Sequence, residues 1–222
     1  MEEKNLQLER MVFFCDAVVA IAITLLVFNI KIDHQVKEHL HFEDIFMEWK
    51  LFLAFFLSFI NIASFWKTHH LFFSHIKKID DRLLWYNICW LFFIVLLPFS
   101  TSLVSAHFFD TPSICIYSLN TFLIAVFQNA IWDYTSMKPS FLKQDTVSKS
   151  TIWQMRLFVN LDMLNAALAI GLSFFTPLFA FISLLTKLPM ILIVRLIYQL
   201  TPNGKAKMRM NEMIKRPKRT TR

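Results

Sequence analysis

The sequence predicts an all-α, polytopic membrane protein with six transmembrane helices and both termini in the cytoplasm. Three observations carry that prediction. Hydrophobic residues make up 56% of the 222, and they gather into six runs, each near the roughly 20 residues that a helix needs to cross a bilayer. Lys and Arg fall almost entirely on one side of those runs, which is the pattern that sets the orientation of helical membrane proteins. The chain has only two glycines, Gly171 and Gly204, and little material is left between the runs for a soluble domain.

The runs lie at about 11–31, 51–72, 83–105, 112–132, 153–173 and 176–199. No small-residue cleavage site follows the first, so it reads as a retained helix rather than a signal peptide. Asn61, Lys67, Asn160, Asp162 and Asn165 interrupt the second and fifth. Placing the ends and the even loops on one side collects Lys4, Arg10, Lys67, Lys77, Lys78, Arg82, Lys138, Lys143, Lys149 and Arg156, together with Arg195 and the basic tail. The other side has Lys31, Lys37 and Lys50, diluted by Asp33, Glu38, Glu43, Asp44 and Glu48. The chain therefore divides into a transmembrane part, 1–200, and a cytoplasmic tail, 201–222. The tail, "KAKMRMNEMIKRPKRTTR", is expected to sit on anionic lipid rather than on nucleic acid.

Several function classes are excluded. Phosphate-cradling loops and a carbonyl-lined potassium filter of the TVGYG kind need glycines that are absent here. No segment carries the arginines at every third position of a voltage sensor. Cys15, Cys89 and Cys115 lie in apolar runs with no paired spacing, which implies neither a disulfide framework nor a zinc site. HExxH and GxSxG are missing, and the chain is not expected to be an enzyme.

The first run opens "RMVFFCDAVVAIAITLLVF". Its small residues permit close helix approach, so this helix is expected to be central and the Phe- and Trp-rich second and third helices peripheral. Ile21, Thr24, Leu25 and Phe28 fall at i, i+3, i+4 and i+7 and share one face. That face suits a packed bundle interior, with Thr24 bonding back to its own helix. Asp16 sits in an early turn, where the helix dipole favours an anion. On a continuous helix it shares no face with Arg10 six residues earlier, so its partner is expected on another helix. "FWKTHHLFF" offers Trp66, His69 and His70 at the same membrane level, and an indole or imidazole N–H is a donor for a carboxylate. Interfacial placement at headgroup depth explains these residues equally well.

Arg10, Phe14 and Asp16, with Thr24 eight positions on, resemble the arginine and "FSD" signature that opens the first helix of the transmembrane protein 175 family, the lysosomal potassium channels and their prokaryotic relatives. Trp66, His69 and His70 resemble the Trp and paired His of that family's second helix. The segment "LLWYNICWLFFIVLLPFSTSLV", with Asn87 and the Pro98-Phe99 pair, is similar as well. The resemblance covers residues 8–105 by motif and the remainder by helix count. Cys15 stands in place of the signature Ser, and Phe28 where a smaller aliphatic residue is expected.

The resemblance implies a prokaryotic single-repeat subunit, multi-pass in the cell membrane and assembling as a homotetramer around a pore made by the first helix. Ile21, Thr24, Leu25 and Phe28 would line that pore, and potassium would be the permeant ion, with no cofactor. Arg10, Phe14, Cys15, Asp16, Trp66, His69, His70 and Asn87 would form the signature network. An alternating-access carrier or proton pathway through Asp16 with His69 or His70 stays open as a second reading, and a non-conducting scaffold as a third.

Overall fold

A computed structural model of the chain describes residues 2–30, 41–143 and 147–186. A compact unit, Met1–Leu184, holds nearly all of them, and the segment Leu185–Arg222 falls almost wholly outside. The described chain runs α1 (Glu2–Leu25), which closes in a turn of 3-10 helix (Leu26–Asn29), then α2 (Phe42–Met47), α3 (Trp49–His75), α4 (Asp81–Ala106), α5 (Thr111–Ser136), α6 (Lys149–Ser173) and α7 (Pro177–Leu185). Among the described residues, five segments are long and apolar enough to cross a membrane: Leu6–Asn29, α3, α4, α5 and α6. They coincide with the first five predicted runs. The sixth, 176–199, starts as α7, and its remainder lies outside the described residues, as does the predicted tail 201–222.

Local chemistry sets the boundaries. Asp80 caps α4 by accepting the Leu83 amide at 2.9 Å, and Ser148 caps α6 by accepting the Thr151 amide at 3.1 Å, each satisfying a donor that the first turn leaves unpaired. Pro112 stands in the first turn of α5, where its missing N–H costs nothing. The short helix α2 occupies part of the loop that follows the first run, with Phe42, Phe46 and Met47 exposed.

Within one chain the middle of the bundle is α4, which packs against α1, α3 and α5, and α5 in turn packs against α6. This corrects the expectation that the aromatic third run would be peripheral. Trp90 of α4 and Trp132 of α5 are fully buried, because large rings fill an interior as readily as they face lipid. Helix α1 lies at the side of this bundle rather than in its middle.

A polar cluster that the apolar pattern does not announce ties the middle together. The Tyr117 hydroxyl on α5 is reached by Ser58 Oγ at 3.1 Å and Asn61 Nδ2 at 3.0 Å, both from α3. The Thr101 hydroxyl on α4 lies 2.8 Å from Ser58 Oγ. All four residues are buried, so each needs a partner inside the protein. Between α5 and α6, Arg156 pairs with Asp133 at 2.7 Å and Asn129 donates to Asn160 at 2.7 Å. Partners across the interface thus account for the polar residue at 160 that breaks the fifth run. Removing the Tyr117 hydroxyl strands Asn61 and loosens α3 from α5. Tyr117→Phe is expected to lower stability by about 1–2 kcal/mol, the scale of such bonds between membrane helices, read as an earlier thermal transition of the purified protein.

Candidate functional site

The first helix has two unlike sides. Met11, Cys15, Val19, Ala22 and Leu26 recur every three or four residues and are buried against α3 and α4. The small side chains among them allow the helices to approach closely. On the opposite side Phe14, Ile21, Leu25 and Phe28 stand exposed, Ile21 at 60% and Phe28 at 69%. Thr24 is exposed with them, and its hydroxyl donates to the Ile21 carbonyl at 2.8 Å. Because the α-helical pattern ends at Leu25 and the last turn is 3-10, Val27 is exposed beside Phe28.

What sets the rotation of α1 is a chain of hydrogen bonds near its start. Asn87, buried on α4, donates through Nδ2 to Cys15 Sγ at 2.8 Å. Its Oδ1 lies 2.7 Å from Nε2 of the buried His69 on α3. Since that oxygen only accepts, Nε2 carries the proton in this pairing. His69 stacks on Trp90 at 4.2 Å and 14°, which fixes its ring plane. Alongside, the Trp66 indole donates to Asp16 Oδ1 at 2.8 Å. Three helices are therefore joined at one level by side chains that each use a specific donor or acceptor. At the other end of α1, Asn29 Nδ2 reaches the Pro98 carbonyl of α4 at 2.9 Å.

The expected partner of Asp16 is present, and it is the indole rather than an imidazole. His69 belongs to Asn87. His70 is exposed, its ring 5.7 Å from that of Trp66, and takes no part in the chain of bonds from Cys15 to His69. Arg10 and Phe14 also stand apart from those bonds. They line a cleft of about 550 Å³ between α1 and the start of α4, shared with Asp80, Asp81 and Asn87. Cys15 accepts a hydrogen bond here, so the donor that a serine would bring is not what this bond uses. The Asn29 anchor and the Tyr117 cluster were not anticipated. An asparagine closing an apolar run, and Ser58 and Asn61 three apart on one helix, were the available signals.

The fold and site thus define a polytopic helical membrane protein that pins one face of its first helix and leaves the other bare. The family model for the endosomal/lysosomal potassium channel TMEM175 matches residues 10–98, the stretch that contains every residue of this chain of bonds. The chain is 30% identical over 140 residues to a potassium channel of Chamaesiphon minutus, covering 61% of this chain and 69% of that one. It is 30% identical over 117 residues to a potassium channel of a Chryseobacterium species, where it spans only 59% of the relative's length. The crystal structure of a lysosomal potassium-selective channel TMEM175 homolog from Chamaesiphon minutus shares the fold, with a TM-score of 0.74 at 24% identity over 85% of this chain and 98% of that one. The chain belongs to the TMEM175 family, a family of ion channels rather than enzymes.

The hydrogen-bond geometry separates two variants that sequence alone would rank together. Asp16→Asn keeps an oxygen for the Trp66 indole, whereas Trp66→Phe leaves a carboxylate without its donor, which is the costlier defect. Trp66→Phe is expected to destabilise the protein by about 1–3 kcal/mol, and Asp16→Asn by less. Thermal unfolding monitored by size-exclusion chromatography ranks them, and the reverse order would show that the carboxylate charge, not the bond, matters.

Proposed function

We propose that the chain is one subunit of a homotetrameric potassium channel in the cell membrane, modestly selective over sodium, with a pore formed by four copies of α1. The observation that carries this reading is the bare face of α1. Ile21, Thr24, Leu25 and Phe28 run for about 10 Å of helix axis and stand exposed among the described residues. Family membership supplies the context, and potassium is the ion in the names of the Chamaesiphon minutus and Chryseobacterium relatives. Asp16, Trp66, His69 and Asn87 serve to hold that face in place rather than to touch ions.

In this reading Ile21 is the narrowest ring. A ring of four isoleucines offers no oxygen, so an ion passes only by giving up water, and sodium, which holds water more tightly than potassium, is penalised more. The Thr24 hydroxyl has its proton committed to the Ile21 carbonyl, which leaves its lone pairs free to face a cation one turn further along. Phe28, near the outer end, forms a second apolar ring. The proton pathway through Asp16 and His69 is less favoured, because those side chains are bonded to Trp66 and Asn87 respectively instead of to each other.

Potassium and sodium flux from liposomes holding the purified protein tests the proposal. Ile21→Ala is expected to widen the ring, raise sodium flux and bring the potassium to sodium ratio toward unity. Unchanged flux of both ions would move the constriction elsewhere on the face. Phe28→Ala is expected to raise potassium flux with little change in that ratio, since Ile21 and Thr24 still discriminate. Loss of flux together with dissociation of the tetramer would place Phe28 at the subunit contact instead.

A further inference from the structure

Away from α1, the loops at one end of the bundle converge on a single aromatic pair. The rings of Tyr134 and Phe141 meet edge to face at 5.7 Å and 76°. Lys138 Nζ lies 4.0 Å from the Tyr134 centroid and 5.2 Å from that of Phe141. Lys78 Nζ lies 5.8 Å from Phe141, and Arg82 Cζ 5.8 Å from Tyr134. Three cations, Lys78 and Lys138 from two loops and Arg82 from the first turn of α4, therefore crowd around two rings. Asp80 is the carboxylate in contact with the cluster, 2.5 Å from the Tyr134 hydroxyl and 3.9 Å from Lys138 Nζ; with Asp81 next to it in the first turn of α4, the three cations still outnumber these two acids. Asp133, on the same helix as Tyr134, is committed to Arg156.

The cluster is held by backbone, not by flexible side chains alone. Ile76 and Leu142 form an antiparallel bridge, the Lys77 amide donates to the Phe141 carbonyl at 2.9 Å, and the Lys143 amide donates to the His75 carbonyl at 3.0 Å. Lys77 thus rides on the same bridge, and Lys143 Nζ donates back to the Ser74 carbonyl at 3.0 Å. Partial burial pushes the Asp80 carboxyl up, but the Tyr134 hydroxyl, the Leu83 amide and the Lys138 and Arg82 charges outweigh it and hold the group below the ordinary carboxylate range. Among the described residues, the carboxylate that touches the cluster is already committed to Tyr134, Leu83 and Lys138.

We propose that Lys78, Arg82 and Lys138, gathered around Tyr134 and Phe141, bind the phosphate headgroup of an anionic phospholipid. The depth fits, since the cluster lies just beyond the last residue of α3, the first of α4 and the last of α5. An apolar flank is present as well: Trp85, one turn along α4 from Arg82, is 64% exposed, and Met137 beside Lys138 is exposed too. A soluble anion would use the charges and leave these unused. A lipid uses both, with phosphate oxygens shared among ammonium and guanidinium donors and the chains lying along Trp85.

The test uses the purified, delipidated full chain and measures retention of phosphatidylglycerol against phosphatidylcholine by native mass spectrometry. The wild type is expected to retain phosphatidylglycerol preferentially. Lys78→Gln, which removes the ammonium lying over the Phe141 ring, is expected to weaken that binding about fivefold, and each further neutralisation at Arg82 and Lys138 by a similar factor. Neutralising Lys31, Lys37 and Lys50, which the charge pattern places on the opposite side of the membrane, serves as a charge-matched control and is expected to leave retention unchanged. Equal retention of the two lipids, or equal loss in this control variant, would overturn the proposal. Displacement of the lipid by inorganic phosphate at equal concentration would also overturn it, in favour of a soluble anion. Ion flux plays no part in this readout, so the outcome stands whether or not the channel reading survives.

Discussion

Asn87 does two things at once, and the placement of the first helix follows from both. Its amide nitrogen donates to Cys15 on α1 and its oxygen meets His69 on α3, so one side chain on α4 sets the height and rotation of two neighbours. In a bilayer a helix gains little from burying apolar surface against another, because lipid is equally apolar. Position is settled instead by close packing and by polar groups that must find partners. A buried amide with two committed bonds is a strong constraint of that kind, since any rotation of α1 breaks a bond in a connected network.

The same helix is pinned again some distance away. From the Trp66 bond at Asp16 to the Pro98 bond at Asn29 is about 20 Å of axis, most of a hydrocarbon slab, and both anchors lie off the exposed face. Between them Val19, Ala22 and Leu26 are packed inward. Ile21 and Thr24 are consequently presented outward by a helix free neither to roll nor to slide. In the proposed tetramer, a ring of side chains around an axis would discriminate between ions only if its radius were held, and two-ended fixation of each contributing helix would help to hold it.

The body that does the holding is built differently from the face it holds. Around Tyr117, Ser58, Asn61 and Thr101 form a compact polar centre with large aromatic groups such as Trp90 and Trp132 packed in the same helices. Rigid rings and satisfied hydroxyls make α3, α4 and α5 a stiff frame. The exposed side of α1 has no such network of its own, and its hydroxyl is turned back on the preceding turn. The division of labour is between a frame rich in specific bonds and a face that is nearly inert.

From the sequence alone, the all-α class and the positions of five spanning helices were legible, because an apolar run of bilayer length has no other stable form than a helix. The need of Asp16 for a partner on another helix was legible too, since a carboxylate at that depth requires a donor and helix geometry denied it Arg10. The choice of Trp66 over His69 or His70 was not, nor was the joining of Cys15 to His69 through Asn87. Those depend on how α1, α3 and α4 are rotated and offset, quantities that no periodicity along one helix contains. Tertiary structure also decided that the aromatic α4 forms the middle of the chain and that the small residues Cys15 and Ala22 face inward while Ile21 does not. In a membrane segment nearly every side chain is apolar, so hydrophobicity marks the helix but not its inner face, and only the contacts between helices distinguish the two.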